Sequence, residues 1–496
     1  MFTKPTSNKF YIIFTTVLIA IGLALALYQF FFNRSIWGDE ATLTLNIIHR
    51  TPSGLLKPLD YKQVAPILFL EVEHFCFYLI PNSEFGLRLF PLSAYFASIY
   101  LLYKILSHFV KNKITILLGL ALFVFNSVVI YYSSEAKQYM TDVFTGLLIY
   151  FFLLKDYKSQ TNKLIILGCI GALSIFLSNV SLIVLSTASV FLIATSPKNK
   201  ELLKLLMVFI PWGISFCFYY VFFISHHPSR GYMIEFWSKE KAFMPLNPLS
   251  ADFYRFLAAK FSMIFYFLFG YGSAGKILLP LFLILGLFNL YSSQKKAYVF
   301  LIILPTVIQL ILSAFKLYPF EKRLILFQYP ILIMGIAAGF DFLFDLSKQR
   351  DGFKGGIVNH ALVILLSIYL LVFVYFNGFP ILHYEIKQSL KYVEHKVKND
   401  QSIYVYQDLV PAFYFYRDIN YSNFKNAISY GSSNQDVDES FNQVTKLEGK
   451  VWLLVYNGSQ FIVDKLDKEN CKKLDSFQYG NVSAYLYDFS TLKNSN

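Results

Sequence analysis

The feature that most constrains this chain is a series of apolar runs, most of them about 20 residues long, separated by short clusters of Lys and Arg. A run of that length can cross the hydrocarbon core of a bilayer as a helix. Hydrophobic residues make up 56% of the chain and charged residues 15%, whereas a soluble globular chain carries about 25% charged residues. No soluble core could bury this much apolar surface, so the pattern predicts an all-α polytopic membrane protein.

The basic clusters predict the orientation of the spans. Lys and Arg concentrate on the cytoplasmic side of membrane proteins, and Lys4 and Lys9 precede the first apolar run. Every second junction is basic, which predicts about eleven transmembrane helices, a cytoplasmic N-terminus and an outer C-terminus. This rule accounts for the formal net charge of +13 without nucleic acid as a partner. The predicted spans lie at about 10–32, 87–107, 114–132, 140–154, 164–178, 181–195, 205–225, 277–292, 297–315, 323–345 and 357–378.

Several segments then fall on the outer side of the membrane. Within the first outer loop, residues 66–80 are too few and too charged to span, which predicts a helix that lies along the interface. The predicted outer segments are 33–86, 133–139, 226–276 and 316–322.

The composition changes beyond residue 379, where polar residues become more frequent. Strand-like runs at 402–406, 451–456 and 484–487 alternate with helix-like stretches, which predicts a small α/β domain. The chain is therefore expected to contain a transmembrane domain at 1–378 and an extracytoplasmic domain at 379–496.

Ionisable residues collect at the outer ends of the predicted spans. Asp39 and Glu40 follow the first span, and adjacent carboxylates can supply a general base or a metal ligand beside a base. Glu135 and Lys137 lie in the short turn between two spans, where they could hold a phosphate. Arg323 opens a predicted helix from outside, which favours an anion site at the positive end of that helix. Each cluster also has a plainer explanation as solvated acids, a polar turn or a snorkelling Arg.

Metal-binding patterns are weak in this sequence. Glu71 and His74 share a face if the segment is helical, and His226 precedes His227, but neither spacing is specific for a metal. These residues are interpreted as polar interface residues, and we predict no metal site from them.

The clusters, in this order, resemble signatures of bacterial members of the protein O-mannosyltransferase-like family (glycosyltransferase family 39 type), in the GT-C superfamily. Residues 37–41, Trp-Gly-Asp-Glu-Ala, look like the family's Asp-Glu signature in the first outer loop. Residues 132–139 resemble its Tyr-Ser-x-Glu-x-Arg-x-Tyr signature, with Lys137 in place of the more usual Arg. Tyr318-Pro319 with Arg323 is similar to the family's Tyr-Pro-x-x-x-Arg turn.

Weaker similarities accompany these motifs over roughly residues 10–345. They include 65–70 with His74, the entry to the second span at 82–89 with Arg88, and the outer-loop Trp and Phe-x-Pro elements at 237–245. The C-terminal domain matches the family only loosely.

The resemblance implies a GT-C-like fold and an inverting transfer of a sugar from a polyprenyl-phosphate-linked donor, at the outer face of the plasma (inner) membrane. It implies that Asp39 is the general base and that Lys137 and Arg323 hold the lipid phosphate as it leaves. It implies no established cofactor, leaves a divalent cation open, and leaves the acceptor open among protein, lipid and glycan. It adds Glu40 as a second catalytic residue, which would orient Asp39 or the acceptor. The remaining residues that it assigns to the site, as orienting or substrate-binding groups, are Glu135, Tyr139, Tyr318, His74 and Arg88.

Two other functions compete with this prediction. A transporter or flippase of a polyprenyl-linked glycan would also have many spans and scattered charges. Such proteins tend to show repeated halves with interrupted helices near the midplane, whereas this sequence shows no such symmetry and its charges lie at outer ends. A non-catalytic assembly or sensory protein would leave the clusters around Asp39, Lys137 and Arg323 unexplained. A glycosyltransferase is therefore the prediction, with the flippase as the alternative.

Overall fold

A computed structural model describes most of the chain, and the described residues form two compact units. The helical unit comprises Met1–Phe30, Val64–Val72 and Arg88–Phe379, and the sheet unit comprises Phe31–Gln63, Glu73–Leu87 and Pro380–Asn496. Lys4, Asn82 and His226, which the sequence analysis used, lie outside the described residues. The described residues are 6–81, 83–196, 199–225, 227–269, 272–293, 295–376, 378–398, 400–419, 424, 428–430 and 437–490.

Helices dominate the chain as far as residue 376. Their bounds are α1 (Thr6–Phe32), α2 (Gly38–His49), α3 (Pro52–Leu55), α4 (Ile67–Leu79), α5 (Glu84–Phe109), α6 (Lys113–Val124), α7 (Ser127–Tyr132), α8 (Tyr139–Leu154), α9 (Gln160–Leu177), α10 (Ser181–Thr195), α11 (Asn199–Lys204), α12 (Leu206–Tyr219), α13 (Arg230–Lys239), α14 (Ala251–Met263), α15 (Gly272–Ser292), α16 (Lys296–Ala314) and α17 (Gln328–Phe376).

Many of these helices have the length and composition of membrane spans. Among the described residues, seven segments are long and apolar enough to cross a bilayer, namely Tyr11–Phe32, Glu84–Phe109, Gln160–Leu177, Leu202–Ile224, Gly275–Ser292, Lys296–Ala314 and Gln328–Ser347. Shorter apolar helices lie at Lys113–Val124, Tyr139–Leu154, Ser181–Thr195 and Ala361–Phe376. Every predicted span overlaps one of these segments, which confirms the helical multi-pass architecture. The number of helices that cross the membrane stays a prediction.

The span predicted at 114–132 is two helices in the structure, α6 and α7. The break falls at Asn126, whose side chain accepts a hydrogen bond from the Val129 N–H at 3.0 Å and so caps α7. The Asn126 amide also donates to the buried Tyr329 hydroxyl at 3.0 Å. A buried polar side chain therefore compensates the backbone groups that the interruption would otherwise leave unsatisfied.

The spans predicted at 323–345 and 357–378 lie within one helical stretch, α17, which begins at Gln328. Phe340 and Leu370 nevertheless line the same apolar cavity. A straight helix rises about 1.5 Å per residue and would separate these residues by about 45 Å. The helical stretch must therefore bend between them, as two separate spans require.

The C-terminal part of the sheet unit is a mixed α/β fold, as predicted. The strand order is β2-β1-β3-β5-β4, with β1 parallel to both β2 and β3, and with β5 antiparallel to both β3 and β4. The strands predicted from the sequence correspond to β1, β3 and β5. The elements are α18 (Ile386–Lys396), β1 (Gln401–Val405), α19 (Val410–Ile419), β2 (Ile428–Tyr430), α20 (Val437–Val444), β3 (Lys450–Tyr456), α21 (Gln460–Lys468), β4 (Lys472–Tyr479) and β5 (Val482–Asp488).

Segments from the first predicted outer loop complete the sheet unit. They bring in α2, which packs against α19, and the part of α4 beyond Val72. Helix α4 itself confirms the helix predicted at 66–80. The carboxylates of Asp39 and Glu40 thus belong to the same compact unit as the β-sheet.

Candidate functional site

The two predicted catalytic carboxylates open helix α2. Trp37 is extended (φ −98°, ψ 168°), the helix begins at Gly38, and Asp39 and Glu40 occupy its first turn. Carboxylates are favourable there because the first N–H groups of a helix have no partner within it and carry partial positive charge. The Thr42 hydroxyl donates to the Asp39 carbonyl oxygen at 2.8 Å and tightens this turn.

The structure gives these neighbouring carboxylates different environments. Glu40 is 0% exposed and accepts a 2.9 Å ion-pair hydrogen bond from Arg34, which is itself 1% exposed. Asp39 is only partly buried. Glu40 is therefore held in a buried ion pair, while the Asp39 residue keeps part of its surface exposed. Sequence reasoning missed Arg34, although an Arg just past an apolar span was a usable signal.

A third carboxyl group, Glu73 on α4, lies close to this pair. Glu73 is 0% exposed, and neither of its oxygens has a hydrogen-bond partner among the described residues. Burial, and then the charge of Glu40, raise the pKa of Glu73 well above its ordinary value. The Glu73 side chain therefore keeps its proton to higher pH than an exposed glutamate does.

His74, which was predicted to bind substrate, has a structural contact. Its Nδ1 lies 2.8 Å from the Ile47 carbonyl oxygen, and because a carbonyl only accepts, Nδ1 carries the proton and donates. The bond ties α4 to the end of α2. A role of His74 in substrate binding stays a prediction.

The segment that leads into α2 is anchored by the C-terminal part of the chain. The Ser35 N–H and hydroxyl donate to the Glu385 carboxylate at 3.1 and 3.0 Å. The Ile36 N–H donates to the Tyr416 hydroxyl at 2.8 Å, and that hydroxyl donates to Glu84 at 2.9 Å. Glu385 and Tyr416 escaped the sequence analysis, because nothing in the sequence relates them to residues more than 300 positions earlier.

In the helical unit, the turn between α7 and α8 is buried. Glu135 is 1% exposed and Lys137 is 4% exposed, and the Lys137 N–H donates to the Glu135 carbonyl oxygen at 2.7 Å. Burying charges is unfavourable unless they are paired or serve a ligand. This burial argues against the plainer interpretation of 133–139 as a solvated polar turn.

Arg323 lies among aromatic rings of the helical unit. Its guanidinium carbon is 5.6 Å from the centre of the Tyr139 ring and 6.0 Å from that of Trp237 on α13. Rings at this distance attract a cation and restrict where it can point. The structure thus brings together Arg323 and Tyr139, which the sequence analysis placed in one site.

The position predicted for Arg323 at a helix N-terminus is wrong. Arg323 lies in a 3₁₀ turn at Lys322–Ile325, and α17 begins only at Gln328. The positive end of α17 therefore does not account for an anion site at Arg323. Such a site would depend on the charge of the Arg323 guanidinium itself.

Hydrogen bonds hold the turn before Arg323 against the segment that carries Trp237. The Ala242 carbonyl oxygen accepts from the Phe320 N–H at 2.8 Å and from the Ser313 hydroxyl at 3.0 Å. From the other side, the Gln309 amide donates to the Pro319 carbonyl oxygen at 2.9 Å. These buried bonds fix the approach of Trp237 to Arg323.

Two further predicted residues also belong to the helical unit. Arg88 lies in α5 and is 1% exposed. The pKa of Tyr318 is raised first by burial and then by the neighbouring Asp142 and Tyr139, so its hydroxyl stays protonated and can donate. The shared site of Asp39 with Lys137 and Arg323, which the resemblance implies, stays a prediction.

The sequence analysis left open whether the protein binds a divalent cation. No group of three or more His, Cys, Asp or Glu side chains with a geometry suited to a metal is found where the structure describes the chain. Of the two carboxylates at the start of α2, that of Glu40 forms an ion pair with Arg34 instead.

A solved structure shares this fold. The chain is similar to ArnT from Cupriavidus metallidurans bound to undecaprenyl phosphate, with a TM-score of 0.51 and 10% identity over 95% of this chain and 98% of that one. The apo state of ArnT gives a TM-score of 0.49 and 11% identity over 96% and 99% of the two chains. Arabinofuranosyltransferase AftD from Mycobacteria gives 0.39 and 11%, over 95% of this chain and 40% of AftD. No protein-family model and no curated protein matches the sequence. The ArnT likeness confirms the GT-C-type fold.

Proposed function

We propose that this chain is a membrane glycosyltransferase that transfers a sugar from a polyprenyl-phosphate-linked donor to an acceptor at the outer face of the plasma membrane. The observation that carries the proposal is the likeness of fold, over 95% of the chain, to ArnT with bound undecaprenyl phosphate. The buried charges of the turn between α7 and α8 and the aromatic setting of Arg323 support it independently of that likeness.

Lys137 and Arg323 are assigned to the donor. A phosphate leaves readily when preorganised cations meet its developing charge, and a guanidinium can offer two parallel N–H groups to its oxygens. The rings of Tyr139 and Trp237 limit the directions that the Arg323 side chain can take. Less reorganisation is then needed during the reaction.

Asp39 is assigned to the acceptor. Its carboxylate takes the proton from the acceptor hydroxyl while that oxygen attacks the anomeric carbon on the face opposite the phosphate. The bond between the anomeric carbon and the phosphate oxygen breaks, and its electron pair leaves with the phosphate. The configuration at the anomeric carbon inverts, and no second carboxylic acid is needed because the leaving group departs as a stable anion.

The test compares the purified full-length protein with two variants, using a panel of polyprenyl-phosphate sugars and envelope extracts as acceptors. Asp39→Asn is expected to bind donor normally and to lose at least about a hundredfold in turnover, the usual scale for a general base. Arg323→Ala is expected to bind donor more weakly. Arg255→Ala is the matched control, because Arg255 is 79% exposed on α14.

Other outcomes would contradict the roles assigned to Asp39 and Arg323 or favour the alternative function. Equal turnover in the Asp39→Asn variant would remove Asp39 from the role of base. Unchanged donor affinity in the Arg323→Ala variant would remove Arg323 from phosphate binding. Movement of donor across vesicles without any transfer would favour the alternative, a flippase of polyprenyl-linked glycan.

A further inference from the structure

We propose that the sheet unit carries a binding site for the sugar end of a glycan acceptor, built from aromatic rings at the carboxyl ends of β1 and β3. This inference rests on the proposed function, since it names the acceptor class of the same reaction. It gives the C-terminal domain a task, and the residues that form the site lie wholly within one compact unit.

The strand order of the sheet locates the proposed binding site. Strands β1 and β3 are neighbours and run parallel, with Gln401 opposite Lys450 and Val405 opposite Leu454. After β1 the chain passes through α19 to β2 on one side, whereas after β3 it passes through α21 to β4 and β5 on the other. The carboxyl ends of parallel strands at such a reversal of strand order form a crevice where ligands of α/β sheets bind.

Aromatic side chains collect at this crevice. Tyr406 directly follows β1 and Tyr456 ends β3, and their ring centres are 5.8 Å apart. The ring of Tyr384 lies 5.0 Å from that of Tyr456. Tyr406 is buried, but Tyr384 and Tyr456 are partly exposed, so part of the surface of each of these two residues remains accessible beside a buried neighbour.

The aromatic row continues to the start of α2. Tyr384 lies 5.2 Å from His383, and His383 stacks on Trp37 with ring centres 4.2 Å apart and planes 2° apart. At the next residue, a Cβ on Gly38 would lie 3.1 Å from the Asp408 carbonyl oxygen, so α2 begins in close contact with the loop after β1. The row therefore ends two residues before Asp39, the proposed base.

Polar groups accompany the rings. The exposed carboxylate of Asp408 lies beside the Tyr456 hydroxyl, whose pKa is raised first by burial and then by this carboxylate. The Gln407 side-chain carbonyl oxygen is buried without a hydrogen-bond partner among the described residues. Both groups are hydrogen-bond acceptors, which suits a ligand that brings hydroxyl donors.

This combination selects a carbohydrate. A pyranose ring has an apolar C–H face that packs on an aromatic ring, and hydroxyls at its edge that donate to a carboxylate or an amide oxygen. Aromatic rings with a few convergent polar groups are also the usual lining of small-ligand sites. A purely structural cluster would explain the buried Tyr406, but not the partial exposure of Tyr384 and Tyr456 or the unsatisfied oxygen of Gln407.

The test measures saturation-transfer NMR from the full-length protein, held in a sugar-free amphipol, to maltose, mannobiose and chitobiose. We expect transfer to ring protons of at least one disaccharide in the wild type. Tyr384→Ala and Tyr456→Ala should each weaken binding about fivefold to tenfold, the scale of one aromatic contact, and Asp408→Asn should weaken it less. Tyr479→Ala is the matched control, because Tyr479 is 41% exposed on β4 of the same unit.

No saturation transfer to any of the three disaccharides would overturn the site, as would unchanged binding in both Tyr384→Ala and Asp408→Asn. These two variants carry the test if Tyr456→Ala does not fold. The binding assay contains no donor, so it tests the site independently of catalysis. A wild type that binds a disaccharide in this assay, but transfers no sugar in the donor assay described for the proposed function, would contradict that function and leave the site intact. Transfer with an unchanged acceptor KM in the variants contradicts the site alone.

Discussion

At the scale of single residues, the adjacent acidic side chains of Asp39 and Glu40 differ in burial and therefore in environment. Glu40 is fully buried and held by Arg34, so removing either partner would leave an uncompensated charge in the interior. Asp39, one position earlier, remains partly exposed. Glu73 lies near Glu40, and burial together with the negative charge of Glu40 opposes the ionisation of Glu73 and raises its pKa.

Glu73 leads to a prediction about pH. Its pKa is raised in the folded protein, so the folded state holds a proton that the unfolded state releases above its ordinary carboxyl pKa. The wild type therefore loses stability as pH rises beyond that value. Glu73→Gln does not titrate, and its advantage in melting temperature over the wild type is expected to grow between pH 5 and pH 8.

Thermal unfolding in detergent at each pH measures this difference. Glu235→Gln is the control, because the Glu235 side chain is 66% exposed. A difference between Glu73→Gln and wild type that stays constant with pH would show that Glu73 is ionised in the folded protein.

At the scale of elements, helix α2 depends on what precedes it. The chain enters α2 through Ser35 and Ile36, whose N–H groups are bound by Glu385 and Tyr416 respectively. The Tyr416 hydroxyl also donates to Glu84, at the start of α5. One phenol thus joins α19 to both ends of the segment 33–86, the first predicted outer loop.

Tyr416→Phe is expected to loosen this entry. It leaves the Ile36 N–H and the Glu84 carboxylate each short of one partner, which costs about 1–3 kcal/mol for a buried group. Since Asp39 follows the anchored segment, kcat for sugar transfer should fall while donor affinity is unchanged. Transfer kinetics and donor binding measure the two effects.

The control removes a hydroxyl elsewhere in the sheet unit, as in Tyr479→Phe. A Tyr416→Phe variant with wild-type kcat and melting temperature would mean that Tyr416 does not position the start of α2.

At the scale of the whole molecule, the sheet unit is assembled from separate parts of the chain. Phe31–Gln63 and Glu73–Leu87 join Pro380–Asn496 in one compact unit, although apolar helices separate them in sequence. Buried residues of the first predicted outer loop, such as Ile36 at 0% exposed, therefore pack in the same unit as the C-terminal sheet.

Truncation after residue 379 is therefore expected to prevent correct folding. The shortened chain would leave Ser35, Ile36 and Glu84 without the partners that Glu385 and Tyr416 supply. Gel filtration of the extracted protein should show aggregation or no yield, with the full-length chain as the control. A monodisperse truncated protein with an unchanged melting temperature would instead favour independent domains meeting at 378–379.

The sequence by itself determined the elements that the local pattern of hydropathy specifies. The apolar runs, the helix at 66–80 and strands β1, β3 and β5 were all predicted, because a bilayer or a sheet core selects residues within a short window. The motifs around Asp39, Lys137 and Arg323 were likewise visible, although the 3₁₀ turn at Arg323 was not, because the apolar pattern extends through it.

The tertiary structure decided which residues meet. It paired Arg34 with Glu40, broke the third span at Asn126, and placed Tyr406 and Tyr456 at adjacent strand ends. It also brought Tyr416 to Ile36 across most of the chain length. Contacts of this kind depend on how distant segments pack, and the free energy that selects them is not carried by any single stretch of sequence.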